Sequence, residues 1–344
     1  MRETAAETAP RGPRTRPLLV PVATAVGAAL ATVRGARGYR RWASQAAMVR
    51  RTYGYEEPQA AGPVPGAPLA ARVLGPRGGG AVILLHGLAA SSRVWGARFD
   101  GLARDRLLVV PDLLGFGSSP RPPTAYSLAD HADAVAATVR AAAGPGRASP
   151  PPVVAAHSFG ACVALALARR HPDLVRGIVA ISPPVFRDAA HARAQMLGAL
   201  TLVERTIAMD TPWARMLCTA VCMHRPRLAR RLARAYRPEL PPAVAIDGVA
   251  HTWPSYSESL AELLSATARP EWAIEAGIPL RVLTGGADRL PDAGYLRELA
   301  ARSPLVSVEV AEGADHMVVL SHAARIVELV EAIEVEVGAA QRAP

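Results

Sequence analysis

The sequence predicts an α/β fold with a mostly parallel sheet, and three observations carry that reading. Short apolar runs rich in Val, Ile and Leu recur along the chain and break at their carboxyl ends into Gly, Ser, Asp or His, where functional groups collect in parallel sheets. One of them, Val153-Val154-Ala155-Ala156-His157, turns at Ser158 into the helix-forming Phe159-Gly160-Ala161. Between residues 184 and 274 the strand rhythm stops and helical patterning takes over. At 344 residues and 50% apolar content the chain can bury a large core.

Residues 1–67 read as an Arg-rich tail, a weakly apolar segment and a linker. The first 51 residues hold ten arginines against Glu3 and Glu7, so little of the net charge of +10 is left for the remainder. All 39 basic residues are arginine, which with the Ala and Pro load reads as composition bias, and a nucleic-acid partner is not expected. Pro17 to Val33 is uncharged and bracketed by arginines; as a helix it reaches only about 25 Å, the short limit for crossing a bilayer. A surface-packed or disordered tail, a membrane anchor and a cleaved signal all remain open, so the expected location is cytoplasmic or membrane-associated. Tyr39, Trp42, Ala46 and Val49 have helical spacing, and the Pro- and Gly-rich run from Pro58 to Pro68 reads as a linker into a first strand, Leu69 to Leu74.

Strands are next expected at Val82 to Leu85, before Pro111, at Val153 to His157, at Gly177 to Ile181, at Pro279 to Leu283 and at Val306 to Val310. The turn at Ser158 is where a nucleophile is exposed: strained and close to its neighbours, it needs small residues two before and two after, here Ala156 and Gly160. A serine needs a base to take its proton and an acid to hold that base. His316 follows the strand at 306–310 and Asp288 the strand at 279–283, giving the chain order Ser158, Asp288, His316. Asp292 is the rival acid, His322 the rival base, and Asp315 is expected to face solvent. The segment after Ile181 is Ser182-Pro183-Pro184 and offers no carboxylate.

Four segments carry a family resemblance. They are Val82-Ile83-Leu84-Leu85-His86-Gly87-Leu88 with Trp95, Pro111-Asp112-Leu113-Leu114-Gly115-Phe116-Gly117-Ser118-Ser119, the elbow around Ser158 with Ala156 in place of the first Gly, and the pair Gly285-Gly286-Ala287-Asp288 and Gly313-Ala314-Asp315-His316. Over residues 68 to 335 the chain resembles the α/β-hydrolase superfamily of serine esterases, lipases and C–C hydrolases. The resemblance implies a domain at 68–340 with a mostly parallel sheet, helices on both faces and a helical lid at 184–274. It implies Ser158, Asp288 and His316 as catalytic residues, and the backbone amides of Leu88 and Phe159 as the oxyanion hole. His86 and His157 are expected to be structural, and the glycines around Asp112 to serve a turn.

Methionines and tryptophans of the lid, among them Met216, Met223, Trp213 and Trp253, are expected to leave an apolar pocket over Ser158. Leu228, Leu232 and Tyr236 fall on one face of an Arg-rich helix from Arg225 to Arg237, read as an amphipathic lid helix or, with the N-terminal segment, as a membrane contact. No cofactor and no metal is expected; Cys218 and Cys222, a helical turn apart with His224 nearby, read as packing. The expected activity is hydrolysis of an ester or thioester of a small molecule with an apolar acyl portion. C–C cleavage and acyl transfer are the alternatives on the same machinery, and a non-catalytic ligand-binding protein is the alternative of another class. An Asp at the elbow, as in epoxide and haloalkane hydrolases, is absent. The oligomeric state is left open.

Overall fold

The computed structural model describes residues 53–144, 150–199, 205 and 210–340, all within one of the two units into which the chain divides. The apolar segment Pro17 to Val33 and the helix expected from Tyr39 lie outside the described residues. An eight-stranded sheet runs in the order β1 (Gly62–Pro63), β2 (Ala70–Leu74), β4 (Leu107–Pro111), β3 (Ala81–Leu85), β5 (Val153–His157), β6 (Gly177–Ile181), β7 (Leu280–Gly285), β8 (Val306–Ala311). From β4 to β8 all neighbours are parallel; β2 runs antiparallel to β4, and β1 antiparallel to β2. The Pro- and Gly-rich run read as a linker therefore supplies an edge strand, with Gly62 opposite Ala71. Edge positions tolerate Pro63 because its missing N–H need not pair.

β3, β4, β5 and β6 are buried along their whole length, as strands covered on both faces must be. Side chains alternate between two layers. Ile83 and Leu85 face α1 (Leu128–Ala143) and α2 (Phe159–Arg170), where Val135, Val139 and Leu165 complete the layer. Val82 and Leu84 face Trp95, Phe99 and the last helix, α11 (Ala323–Ala340), through Ile326, Val330 and Ile333. Ser127 starts α1 with a reciprocal capping box to Asp130, a device whose loss costs about 1 kcal/mol.

Between β6 and β7 the chain forms α3 (Ala189–Ala199), α4 (Pro212–Cys218), a π-helical turn (Thr219–Met223), α5 (Pro226–Tyr236), α6 (Pro242–Asp247), α7 (Trp253–Leu264) and α8 (Glu271–Glu275). α9 (Ala293–Arg302) joins β7 to β8, and α10 (Val318–Ser321) precedes α11. Contacts from α6 and α7 help fasten the helical insertion to the loops at the carboxyl ends of the strands. Asp247 at the end of α6 binds the Ser91 hydroxyl and the Arg93 guanidinium. The Ser255 hydroxyl of α7 donates to the Gly115 carbonyl at 3.1 Å. Gly115 has φ +83°, and a Cβ there would stand 2.4 Å from Ser255 Cβ, so glycine is required on both counts.

The Arg-rich helix does not bury the leucine face, as an amphipathic lid helix would. α5 buries Ala229, whereas Leu228 and Leu232 are 41% and 42% exposed. Alanine permits the closer approach to the neighbouring helices, so the leucines are left outside. Among the described residues no helix is long and apolar enough to cross a membrane.

Candidate active site

Backbone strain marks the carboxyl ends of the central strands. Ala89 after β3, Ser158 after β5 and Ser182 after β6 all have positive φ, at 50°, 53° and 48°. Non-glycine residues adopt this region at a cost and persist in it where the surroundings enforce it. At Ser158 the enforcement is visible: its N–H donates to Ile181 O at 2.8 Å, and α2 begins at the next residue. A Cβ on Gly160 would lie 2.5 Å from His86 O and 2.6 Å from Leu85 O, so the elbow can press against β3 only because that residue has no side chain. Ala156, two residues before, is fully buried and its methyl is accommodated.

Three side chains from three strand ends meet. His316 Nε2 lies 3.0 Å from Ser158 Oγ, and His316 Nδ1 lies 2.8 Å from Asp288 Oδ2. Asp288 has a side chain only 1% exposed and also accepts the Leu290 N–H at 2.9 Å. Burial pushes its carboxyl up, but the hydrogen bond and charge of His316, the Leu290 amide and a weaker attraction from Ser182, whose hydroxyl makes no well-formed hydrogen bond, together hold it below the usual carboxylate range. The His316 loop is held against β7 at Gly285, where a Cβ would stand 2.3 Å from Ala314 O and 2.5 Å from Asp315 O.

The rivals are engaged elsewhere. Asp292 caps α9, accepting Tyr295 N–H at 2.9 Å, and its other oxygen lies 3.0 Å from His191. His322 ends α10 beside Ser321, at the junction before the last helix. Asp315 is exposed and accepts Met317 N–H.

His86 uses both ring nitrogens within its own neighbourhood: Nδ1 lies 2.8 Å from Gly87 O, and Nε2 accepts the Leu113 N–H at 2.8 Å. The second bond requires Nε2 to be unprotonated, so Nδ1 carries the proton and donates to Gly87 O. Burial keeps the ring neutral, with its pKa lowered. The loop so held stands over the elbow, for a Cβ on Gly87 would lie 3.0 Å from Ser158 Cβ. The Leu88 N–H has no acceptor among the described residues, and Phe159, as the first residue of α2, has an amide without an intrahelical partner. Asp112 organises the neighbouring loop, accepting the amides of Ser92 and Ser118 at 2.7 Å each.

Sequence reasoning missed two features. His157 does more than pack under the elbow: its Nε2 donates to the backbone carbonyl of His316 at 3.0 Å, and burial, followed by the neighbouring His316, pushes it down to about 3. The only available signal was its place next to the serine. The second is the tie between Asp247 and Arg93, 154 residues apart in sequence, which no local pattern announces.

The helical insertion also departs from expectation. Met216, Leu217, Met223 and Trp213 are exposed, and the open groove of about 520 Å³ that Met216 lines, together with Pro212, Thr219 and His224, does not include Ser158. Cys218 stands 4.0 Å from His251 Nε2, while His224 is exposed. Among the described residues no three His, Cys, Asp or Glu side chains are arranged to hold a metal ion.

Residues 82–329 match the model of the alpha/beta hydrolase family. The chain belongs to that family. Relatives include "Probable lysophospholipase BODYGUARD 4" of Arabidopsis thaliana, 28% identical over 253 residues that cover 68% of this chain and 59% of that protein. The 2-(acetamidomethylene)succinate hydrolase of Mesorhizobium japonicum is 26% identical over 70% of this chain and 84% of its own. The chain thus spans under two thirds of the length of the first of these. Among solved family structures, an esterase from Rhodococcus sp. ECU1013 superposes with a TM-score of 0.56 at 22% identity, over 80% of this chain and 98% of that one, a likeness of fold.

Proposed function

We propose that this family member is a serine hydrolase acting on an ester or thioester with an apolar acyl portion. The observation that carries the reading is the continuous line of hydrogen bonds from Ser158 Oγ through the His316 ring to the buried Asp288 carboxylate. Ser158 Oγ attacks the acyl carbonyl as His316 Nε2 takes its proton; Asp288 holds Nδ1–H, fixing the tautomer and stabilising the imidazolium. The amides of Leu88 and Phe159 receive the oxyanion. Collapse of the tetrahedral intermediate expels the alcohol or thiol with the proton returned by His316, and water, activated by the same histidine, releases the acid and Ser158.

His157 acts here as a positioning residue, tying the His316 backbone to the elbow. The apolar acyl portion is supported by the relatives named as lysophospholipases. A serine at the elbow supports acyl transfer to Oγ, which alkyl displacement by a carboxylate would not use. Turnover of aryl esters of increasing acyl length by the full chain, beside Ser158→Ala, tests the reading. Rates that rise from acetyl to medium chains and vanish in the variant are expected; turnover that survives in Ser158→Ala would reject it.

A further inference from the structure

Seven large apolar side chains are exposed among the described residues, and six of them fall between Trp213 and Leu232: Trp213 (60%), Met216, Leu217, Met223, Leu228 and Leu232. A contiguous stretch of this kind on a monomer marks a surface with a partner. It occupies α4, the π turn and α5, which pack on one another and, through α5, on α6. The charge of the same stretch is one-sided. From Thr211 to Tyr236 there is no Asp or Glu, and there are six arginines. Arg215 pairs with Asp210 just outside the stretch, whereas Arg225, Arg227, Arg230, Arg231 and Arg234 are exposed and meet no carboxylate among the described residues. Several exposed arginines elsewhere are paired, as Arg170 is with Asp133 and Arg325 with Glu309, but no other stretch of the described residues gathers five unpaired ones.

We propose that the outer face of the lid, from Trp213 to Arg234, docks on an anionic lipid surface. A protein partner would have to place carboxylates among apolar contacts to match five arginines interleaved with leucine and methionine. A bilayer meets both demands without a pattern: guanidinium groups bind lipid phosphates, leucine and methionine enter the acyl boundary, and an indole settles at the headgroup level. The ties of Asp247 to Arg93 and of Ser255 to Gly115 belong to other helices of the insertion, so docking leaves the anchors over the strand ends in place. The proposal rests on this surface alone and does not depend on the hydrolytic reading.

The test uses the full chain with phosphatidylglycerol–phosphatidylcholine vesicles and with phosphatidylcholine alone. Sedimentation should show binding to the anionic vesicles that weakens about 100-fold in Arg230→Gln/Arg231→Gln/Arg234→Gln, from about a factor of five for each charge near the surface. Brominated lipid should quench Trp emission in a Trp42→Phe background and much less when Trp213→Phe is added, since Trp95 and Trp253 are buried and Trp272 is half-buried under the Arg169 guanidinium. These positions are exposed, so the variants should keep the wild-type circular dichroism. Equal binding to both vesicle types, or no binding, would overturn the proposal. So would binding unaffected by the arginine changes and quenching unaffected by Trp213→Phe, which would assign the contact to the basic N-terminal stretch. Sedimentation velocity supplies the last outcome: a dimer dissociated by Leu228→Ser/Leu232→Ser would give the face to a second copy of the chain instead.

Discussion

Alanine at Gly285 should disable the proposed Ser158–His316–Asp288 site while leaving the sheet intact. Its Cβ would stand 2.3 Å from Ala314 O and 2.5 Å from Asp315 O, both backbone atoms that no rotamer change can move. Relief requires the loop before His316 to retreat by roughly 1 Å, and a displacement of that size costs about 100-fold in rate when it separates reacting groups. Here it would lengthen the 3.0 Å contact between His316 Nε2 and Ser158 Oγ or the 2.8 Å contact to Asp288. The overpacking itself should destabilise by about 1–3 kcal/mol. Gly286→Ala is the matched control, because its nearest new neighbours, Glu312 Oε2 and Gly313 N, stand at 3.4 Å, close to ordinary contact. Steady-state turnover of a soluble aryl ester, with a thermal melt of each variant, separates lost alignment from lost fold. If Gly285→Ala turned over as fast as Gly286→Ala, the argument that this contact aligns the histidine would be refuted.

The remaining expectations can be checked with the same assay or by unfolding. Ser158→Ala and His316→Ala should each lower kcat by about 10⁴–10⁶, since groups acting as one unit lose nearly everything singly, and Asp288→Asn by about 10⁴. Asp292→Asn should leave kcat unchanged, because asparagine caps α9 as well as aspartate does; a larger loss there than at Asp288 would displace the acid assignment. Stability in urea should fall as pH drops below about 6.5. Burial lowers His131 and His157 to about 3 and His251 to about 4, so between those values and the unfolded histidine pKa only the unfolded chain takes up the protons. Each contributes about 1.4 kcal/mol per pH unit, giving a combined slope of about 4 kcal/mol per unit near pH 5; a flat profile from pH 7 to 5 would show these rings to be protonated in the native state. Arg93→Ala should destabilise by about 2–3 kcal/mol in urea, because it leaves Asp247, 3% exposed, without its cation.

What the sequence disclosed and what it withheld divide along a physical line. Strands buried on both faces are continuous apolar runs, so β3, β5 and β6 could be read almost to the residue. Ser158, Asp288 and His316, which the structure brings together, could be picked out by the strands before them: Ser158 directly follows β5, Asp288 stands three residues beyond β7 and His316 five beyond β8. The pairing of Gly62 and Pro63 with β2 was not, since edge pairing leaves no mark on a Pro- and Gly-rich stretch. The bond from His157 to the His316 carbonyl depends on loops 159 residues apart. Which way α5 faces could not be read, because periodicity locates an apolar face without saying which neighbour will cover it. Small Ala229 won the close contact, and Leu228 and Leu232 stayed outside.

Covalent labelling of Ser158 tests the central claim most directly. The full chain is treated with a fluorophosphonate, digested, and its adduct located by mass spectrometry, beside Ser158→Ala and His316→Ala. The account predicts one adduct on Ser158, absent from Ser158→Ala and formed far more slowly in His316→Ala. A wild-type chain that stays unlabelled, or one labelled at another residue while ester turnover proceeds, would contradict it.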